Sequence, residues 1–487
     1  MGKEVFGTWM VGVLVSTTVA QLDFGLSIFS VRWLLRHSSH LRTIESPLDS
    51  HAASVAAAGK FSATRLTGLM PIQLTSAEAP CLFVIGLVVG MMGSLLTLPI
   101  LLAAGQTLGL SPLRDESSAF KFAIFLSLWG GLNLATAIWS AYWRAFNRLV
   151  LLGLIQALSG GGLWVVSSIA ANHGVSLADL AALATTWFLV CALPILKSVL
   201  FVSWEGARLT LTQFLIAYWR ERKFVCGLVG TQAASLVTYQ SDRYILSAIS
   251  GPVVVGVYSV LSGLASKLVQ FLAVGTSVLF PYITRQNIAG NVNRLNDLFI
   301  QASQLLIILL VAFTFTGFWV AEEFLRLWLR TAFSAEYVTI LKGLILASGM
   351  ASTSVVASNF YVASGKSTLS LRYSWLGAGI TAAACLLLIP KYGALGAVVA
   401  VNLGCLQALV FAGHIRRLLG FDRAISFRLL YALLAGCAVA LIPQLFWREL
   451  PASWLKVVGL GGASFLSIVG IGGLLVPGLR QLMLRRT

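Results

Sequence analysis

The stretch Val457-Val-Gly-Leu-Gly-Gly-Ala-Ser-Phe-Leu-Ser-Ile-Val-Gly-Ile-Gly-Gly-Leu-Leu-Val-Pro-Gly-Leu479 runs for 23 residues without a formal charge. A helix needs about 20 apolar residues to cross a hydrocarbon core. The same signature recurs at Leu149 to Ala178, Phe224 to Ser241, Leu268 to Thr284 and Gly343 to Gly365. Inside lipid the backbone must satisfy its own polar groups, and a helix does so. Composition agrees: of 487 residues, 58% are hydrophobic and 10% charged, against about 25% charged in a soluble domain. So few charges cannot give a chain of this length a polar skin. The sequence therefore predicts an all-α, polytopic membrane protein.

Thirteen spans are expected, at 5–31, 80–103, 118–143, 149–171, 177–201, 224–248, 253–281, 299–320, 337–362, 369–389, 393–413, 427–446 and 454–476. Alternate loops, together with the C-terminal tail, hold 22 Lys and Arg, among them Arg32, Arg65, Arg144, Arg220, Arg285, Arg372, Arg423 and Arg486. The opposite segments hold seven, including Arg114, Arg326, Arg330, Arg448 and Lys456. By the positive-inside rule the C-terminus is cytoplasmic. Thirteen spans then place Met1 outside. The first apolar run is too long for a signal peptide's core, so the expectation is that one preceding helix is absent.

The net charge of +17 suits an anionic membrane face, because the basic residues sit in short loops between apolar runs. It carries no zinc-finger spacing or long basic stripe, and no nucleic-acid partner is expected. The six cysteines lie in apolar runs without CxxC spacing and read as buried thiols. The five histidines are scattered, and no metal site is expected.

Gly7, Trp9 and Gln21 register against Gly256, Tyr258 and Gln270, about 249 residues later. Internal repeats are common in secondary transporters. A parallel repeat leaves the span at 224–248 without a partner in the first half. An absent first helix would supply it.

Several motifs carry a family likeness. Phe6-Gly7, Asp23-Phe24-Gly25-Leu26 and Arg32 resemble the second helix of the polysaccharide biosynthesis (Wzx-type) flippases, within the multidrug/oligosaccharidyl-lipid/polysaccharide exporter superfamily. Ser241-Asp242-Arg243-Tyr244-Ile245-Leu246, Gly251, Gly256-Val257-Tyr258 and Pro281 are similar to the seventh and eighth helices. Glu323-Phe324-Leu325-Arg326-Leu327-Trp328-Leu329 and Tyr392-Gly393-Ala394-Leu395-Gly396-Ala397 also fit the pattern. The resemblance implies two six-helix lobes of the MATE/Wzx type plus two C-terminal helices. It implies an N-terminal lobe at 1–203, a cytoplasmic linker at 204–223, a C-terminal lobe at 224–415, and an additional pair with a tail at 416–487. It further implies a multi-pass protein of the bacterial inner membrane that moves an undecaprenyl-pyrophosphate-linked oligosaccharide to the outer leaflet for capsule, O-antigen or exopolysaccharide synthesis. A polysaccharide polymerase and a chain-length regulator are the partners so implied.

Such a task breaks no covalent bond, so neither an enzyme nor a cofactor is expected; a proton or sodium gradient would supply the drive. An anion in apolar surroundings is costly unless paired, and charges deep in a membrane face cavities or partners. Lys267, Lys197 and Arg243 are therefore the expected phosphate-facing cations, with Lys121 and Lys342 nearer snorkelling positions. Gln232, Gln270 and Tyr239 are the expected sugar contacts. Gln21, Asn133, Gln156, Asn402, Tyr258, Trp139 and Trp143 share the same chemistry, although polar side chains also join helices and Trp favours the interface. Asp23 and Asp242 are candidates for ion coupling or gating; for Asp23 the competing reading is a capped helix break, and for Asp242 an interhelical pair. Glu322, Glu323, Arg326 and Arg330 read as an outer loop, and 51–70 as an interfacial helix. The rival functions are a multidrug exporter of the same superfamily, a murein lipid-precursor flippase, a membrane glycosyltransferase or ligase, and a non-transporting scaffold.

Overall fold

The computed structural model describes residues 3–21, 23, 25–37, 78–107, 116–145, 151–156, 158–159, 175–200, 207–277, 283, 292–363, 367–418, 423–446 and 453–476. The expected interfacial helix at 51–70, most of the span at 149–171 and the side chain of Gln270 lie outside the described residues. The helices are α1 Lys3–Ala20, α2 Leu26–His37, α3 Glu78–Thr107, α4 Glu116–Ala145, α5 Leu177–Leu200, α6 Ala207–Arg220 and α7 Arg222–Ser277. They continue as α8 Val292–Leu329, α9 Ala335–Ser352, α10 Val355–Ala363, α11 Ser367–Leu418, α12 Arg423–Phe446 and α13 Trp454–Leu475. Among the described residues there is no strand. Eight helices among those residues are long and apolar enough to cross a membrane.

Two of the eight, at 46 and 45 residues, are each about twice what a bilayer needs. Each changes direction at a glycine with positive φ: Gly251 at φ 79° in α7 and Gly393 at φ 55° in α11. Only glycine takes such angles without steric cost. A proline precedes or follows each break, Pro252 in α7 and Pro390 in α11.

The chain divides into two compact units. One is built mainly from Val15–Gly105 and Leu113–Val229. Its core packs Ala135, Trp139 and Trp143 of α4 with Ile195 and Val199 of α5 and with Ala79 of α3. Trp139 stacks on Phe83 at 5.7 Å and donates its Nε1 proton to the Phe83 carbonyl at 3.3 Å. Close approach of α3 to α4 depends on small residues: a Cβ on Gly90 would stand 2.8 Å from the Gly131 carbonyl oxygen. The outer face of α3 exposes Leu87, Met91, Met92, Leu95 and Ile100, a contiguous apolar surface suited to lipid.

The other unit comprises Gly2–Leu14, Gln106–Pro112 and Gly230–Thr487. Its core joins Leu246, Tyr258, Leu261, Leu325, Leu341 and Ala397. Helices α12 and α13 pack on α8 through Ala432, Ala440 and Ile468 against Ile308 and Ala312. Helix α8 runs to Leu329, so Glu322, Glu323 and Arg326 are helical, contrary to the outer loop expected there. Within this helical segment Glu322 and Arg326 pair at i,i+4 over 2.7 Å, a small favourable contribution, and Lys456 of α13 reaches Glu323 at 2.8 Å.

The span expected at 5–31 is also interrupted. Helix α1 ends at Ala20 and α2 begins at Leu26. Gly25 between them has φ 70°, and Asp23 supplies the cap described below.

Candidate functional site

The first unit contains a largely apolar cavity of about 310 Å³ whose wall carries several polar side chains. Helix α1 contributes Thr17 and Gln21, and α4 contributes Asn133, Thr136, Ser140 and Arg144. Residues 152–159 add Gln156 and Ser159, while Phe188, Ala192 and Ile195 of α5 close an apolar side. The α4 residues recur at spacings of three and four, so they share one face of the helix. Their sequence neighbours Ala135 and Trp139 go to the core.

Most of the wall's short donors are already committed. Thr136 Oγ1 donates to the Leu132 carbonyl at 2.8 Å, Ser140 Oγ to Ala137 at 2.7 Å and Ser159 Oγ to Gln156 at 3.1 Å. Asn133 uses one Nδ2 proton on the Trp129 carbonyl at 2.9 Å, which leaves a second proton and Oδ1. Arg144 is partly buried. No described residue hydrogen-bonds or ion-pairs with its guanidinium. The arrangement offers five cationic donors beside amide and hydroxyl groups, the chemistry of an anion carrying hydroxyls.

Asp23 stands near enough for its charge to act on Arg144. It is buried at 4% exposure. Its Oδ1 accepts the Gly25 amide at 2.9 Å and its Oδ2 the Ser27 amide at 3.2 Å. Asp23 thus caps α2, satisfying donors that a helix start leaves unpaired. Beyond the cap, Arg32 lies 3.5 Å from Glu221 and 4.5 Å above the Phe224 ring. Phe29 meets Phe214 and Tyr218 edge-on, each at 5.3 Å.

The second unit holds a different polar group. Asp242, 2% exposed, accepts the Tyr258 hydroxyl at 2.6 Å and the Arg243 amide at 2.8 Å. The Arg243 guanidinium turns elsewhere, donating to Ser262 Oγ at 2.8 Å and Gln240 Oε1 at 3.2 Å. Neighbours on a helix project about 100° apart, and these two take separate partners across the bend of α7.

The remaining expected site residues are dispersed. Lys197, near the end of α5, and Lys267, in α7, are exposed. Tyr239 is exposed and Gln232 partly buried. Lys342 lies 5.1 Å over the Phe318 ring. Tyr258, Trp139 and Trp143 are core residues and present no ring for sugar stacking. Of the wider polar set, Gln21, Asn133 and Gln156 meet at the cavity, whereas Asn402 donates to the Gly343 carbonyl at 3.0 Å and joins two helices. The expected span 118–143 puts Arg144 in a cytoplasmic loop, whereas α4 continues to Ala145. The periodic series Asn133, Thr136, Ser140 and Arg144 was the available signal that α4 carries it into a cavity wall.

The architecture is an all-α polytopic membrane fold similar to that of solved MATE transporters and of the lipid II flippase MurJ. In particular, the chain resembles the lipid II flippase MurJ in its inward closed conformation, with a TM-score of 0.57 and 12% identity over 99% of this chain and 98% of that one. It also resembles the Vibrio cholerae MATE transporter VcmN in the bent form, at TM-score 0.53 and 14% identity over 86% of this chain and 95% of that one. An outward-facing MATE family multidrug resistance transporter gives TM-score 0.53 and 14% identity over 86% and 94% of the two chains. No protein-family model matches the sequence, and no curated protein sequence matches it.

Proposed function

We propose that this protein translocates an undecaprenyl-pyrophosphate-linked oligosaccharide from the cytoplasmic to the outer leaflet by alternating access, serving capsule, O-antigen or exopolysaccharide synthesis. The observation that carries the reading is the likeness to a lipid II flippase over 99% of the chain, joined to a cation- and amide-lined cavity inside one unit. The finer architecture belongs to the same proposal: thirteen spans, two lobes meeting at the 204–223 linker, an added C-terminal pair and a cytoplasmic C-terminus.

The chemistry follows from solvation. The prenyl chain stays in lipid, while the head group needs polar walls and compensating cations. Lys267, Lys197 and Arg243 are proposed to face phosphate, and Gln232, Gln270 and Tyr239 to face sugar, during different stages of passage. Asp23 and Asp242 are proposed to sense a proton or sodium gradient or to gate the passage. No bond is made or broken, so the role is not enzymatic.

A multidrug exporter is the second reading, favoured by the likeness to MATE structures. Deleting the gene and analysing leaflet-resolved lipid-linked sugars separates the two. A flippase deletion accumulates a defined lipid-linked oligosaccharide on the cytoplasmic leaflet, and the complemented strain clears it. Drug hypersensitivity without that accumulation would replace the proposal with the exporter reading.

A further inference from the structure

We infer that Arg144 is the anion-binding residue of the first unit's cavity, and that its ligand is the pyrophosphate of a prenyl-linked head group. The inference rests on the flippase reading and names where the cargo is first held. With the orientation given by the loop charges, α4 ends on the cytoplasmic side. Gln21, at the end of α1, and Gln156 line the same cavity as Arg144, which on that orientation lies towards the leaflet from which the cargo comes.

Three observations carry the assignment. The guanidinium lines a cavity whose wall is otherwise largely apolar apart from a few amide and hydroxyl groups, and no described residue occupies its donors. Asp23, whose charge reaches it, has its two oxygens on the Gly25 and Ser27 amides. The volume of about 310 Å³ lies at the small end of ligand sites, a match for a diphosphate and its first sugar rather than a whole oligosaccharide. A planar guanidinium suits phosphate oxygens in a paired geometry. Asn133 and Gln156 supply amides for the adjoining hydroxyls. The competing role is an interfacial anchor whose charge reaches out to the lipid head groups.

The test uses the full-length protein in lipid nanodiscs, with inorganic pyrophosphate and farnesyl diphosphate as probes. Farnesyl diphosphate should bind more tightly than inorganic pyrophosphate. Arg144→Gln should weaken both by at least tenfold, Arg144→Lys should recover part of the loss, and Lys391→Gln, exposed in the other unit, should behave as wild type. If Arg144→Gln fails to fold, Ala192→Leu fills the same cavity from α5 and should weaken both probes. Binding by folded Arg144→Gln equal to wild type overturns the site. Equal affinity for the two probes in wild type overturns the prenyl-linked source. Neither result touches the flippase reading, which falls instead if the deletion strain accumulates no lipid-linked sugar.

Discussion

Asp23 and Asp242 are both buried, at 4% and 2% exposure, but their donors differ in kind. Asp23 is held by two backbone amides at a helix start, one on each oxygen. Asp23→Asn keeps one acceptor but turns an NH2 towards the second amide, so it should cost part of what Asp23→Ala costs, which is about 0.5–2 kcal/mol. Thermal unfolding in detergent distinguishes the two, and a transport defect confined to folded Asp23→Asn would mark a coupling role beyond the cap. Asp242 instead depends on the Tyr258 hydroxyl at 2.6 Å. Tyr258→Phe strands a buried carboxylate oxygen and should destabilise by about 1–3 kcal/mol. Pairing it with Asp242→Asn in a double-mutant cycle should give a coupling energy well above zero; strict additivity would show that the bond contributes nothing.

At the scale of the helix, two glycines separate steric need from backbone need. Gly7 of α1 packs against the Pro252 carbonyl, and a Cβ on Gly256 would stand 3.2 Å from the Gly7 Cα. These are the residues that the repeat aligns, and they meet face to face within the second unit. Gly251 is the opposite case, with φ 79° and nothing within 4 Å of an added Cβ. Gly251→Ala should therefore cost about 1 kcal/mol through backbone strain alone. Gly7→Ala must separate two helix backbones and should lower yield and unfolding temperature further. Equal losses would show that the crossing is slack. Lys456 and Glu323 fasten α13 to α8, with the Lys456 side chain at 5% exposure and Glu323 at 28%. Removing one partner of a fully buried pair costs about 3–5 kcal/mol; water at Glu323 reduces that here. Glu323→Gln should expose α13 to limited proteolysis before the rest of the unit, and simultaneous cleavage throughout would sink that expectation.

For the whole molecule, orientation is the property that residue contacts do not reveal. The loop-charge bias predicts that single cysteines at Arg220 and Arg423 react only from the cytoplasmic side, and one at Arg448 only from outside. Reversed labelling would invert the topology and with it the leaflet assigned to the Arg144 cavity. The long uncharged runs by themselves determined that the chain is helical and polytopic, because burying bare peptide groups in lipid leaves few other solutions. The span boundaries expected at 248–253 and 389–393 fall at the bends at Gly251 and Gly393, since a bilayer limits the length of each apolar run. The polar pairings were not legible. Glu323 finds Lys456 133 residues away, and Arg144 joins Gln21 and Gln156 from separate segments. Hydropathy measures only the cost of placing a charge in lipid. Which cation meets an acid, and which stands open at a cavity, is set by how helices distant in sequence pack their faces together.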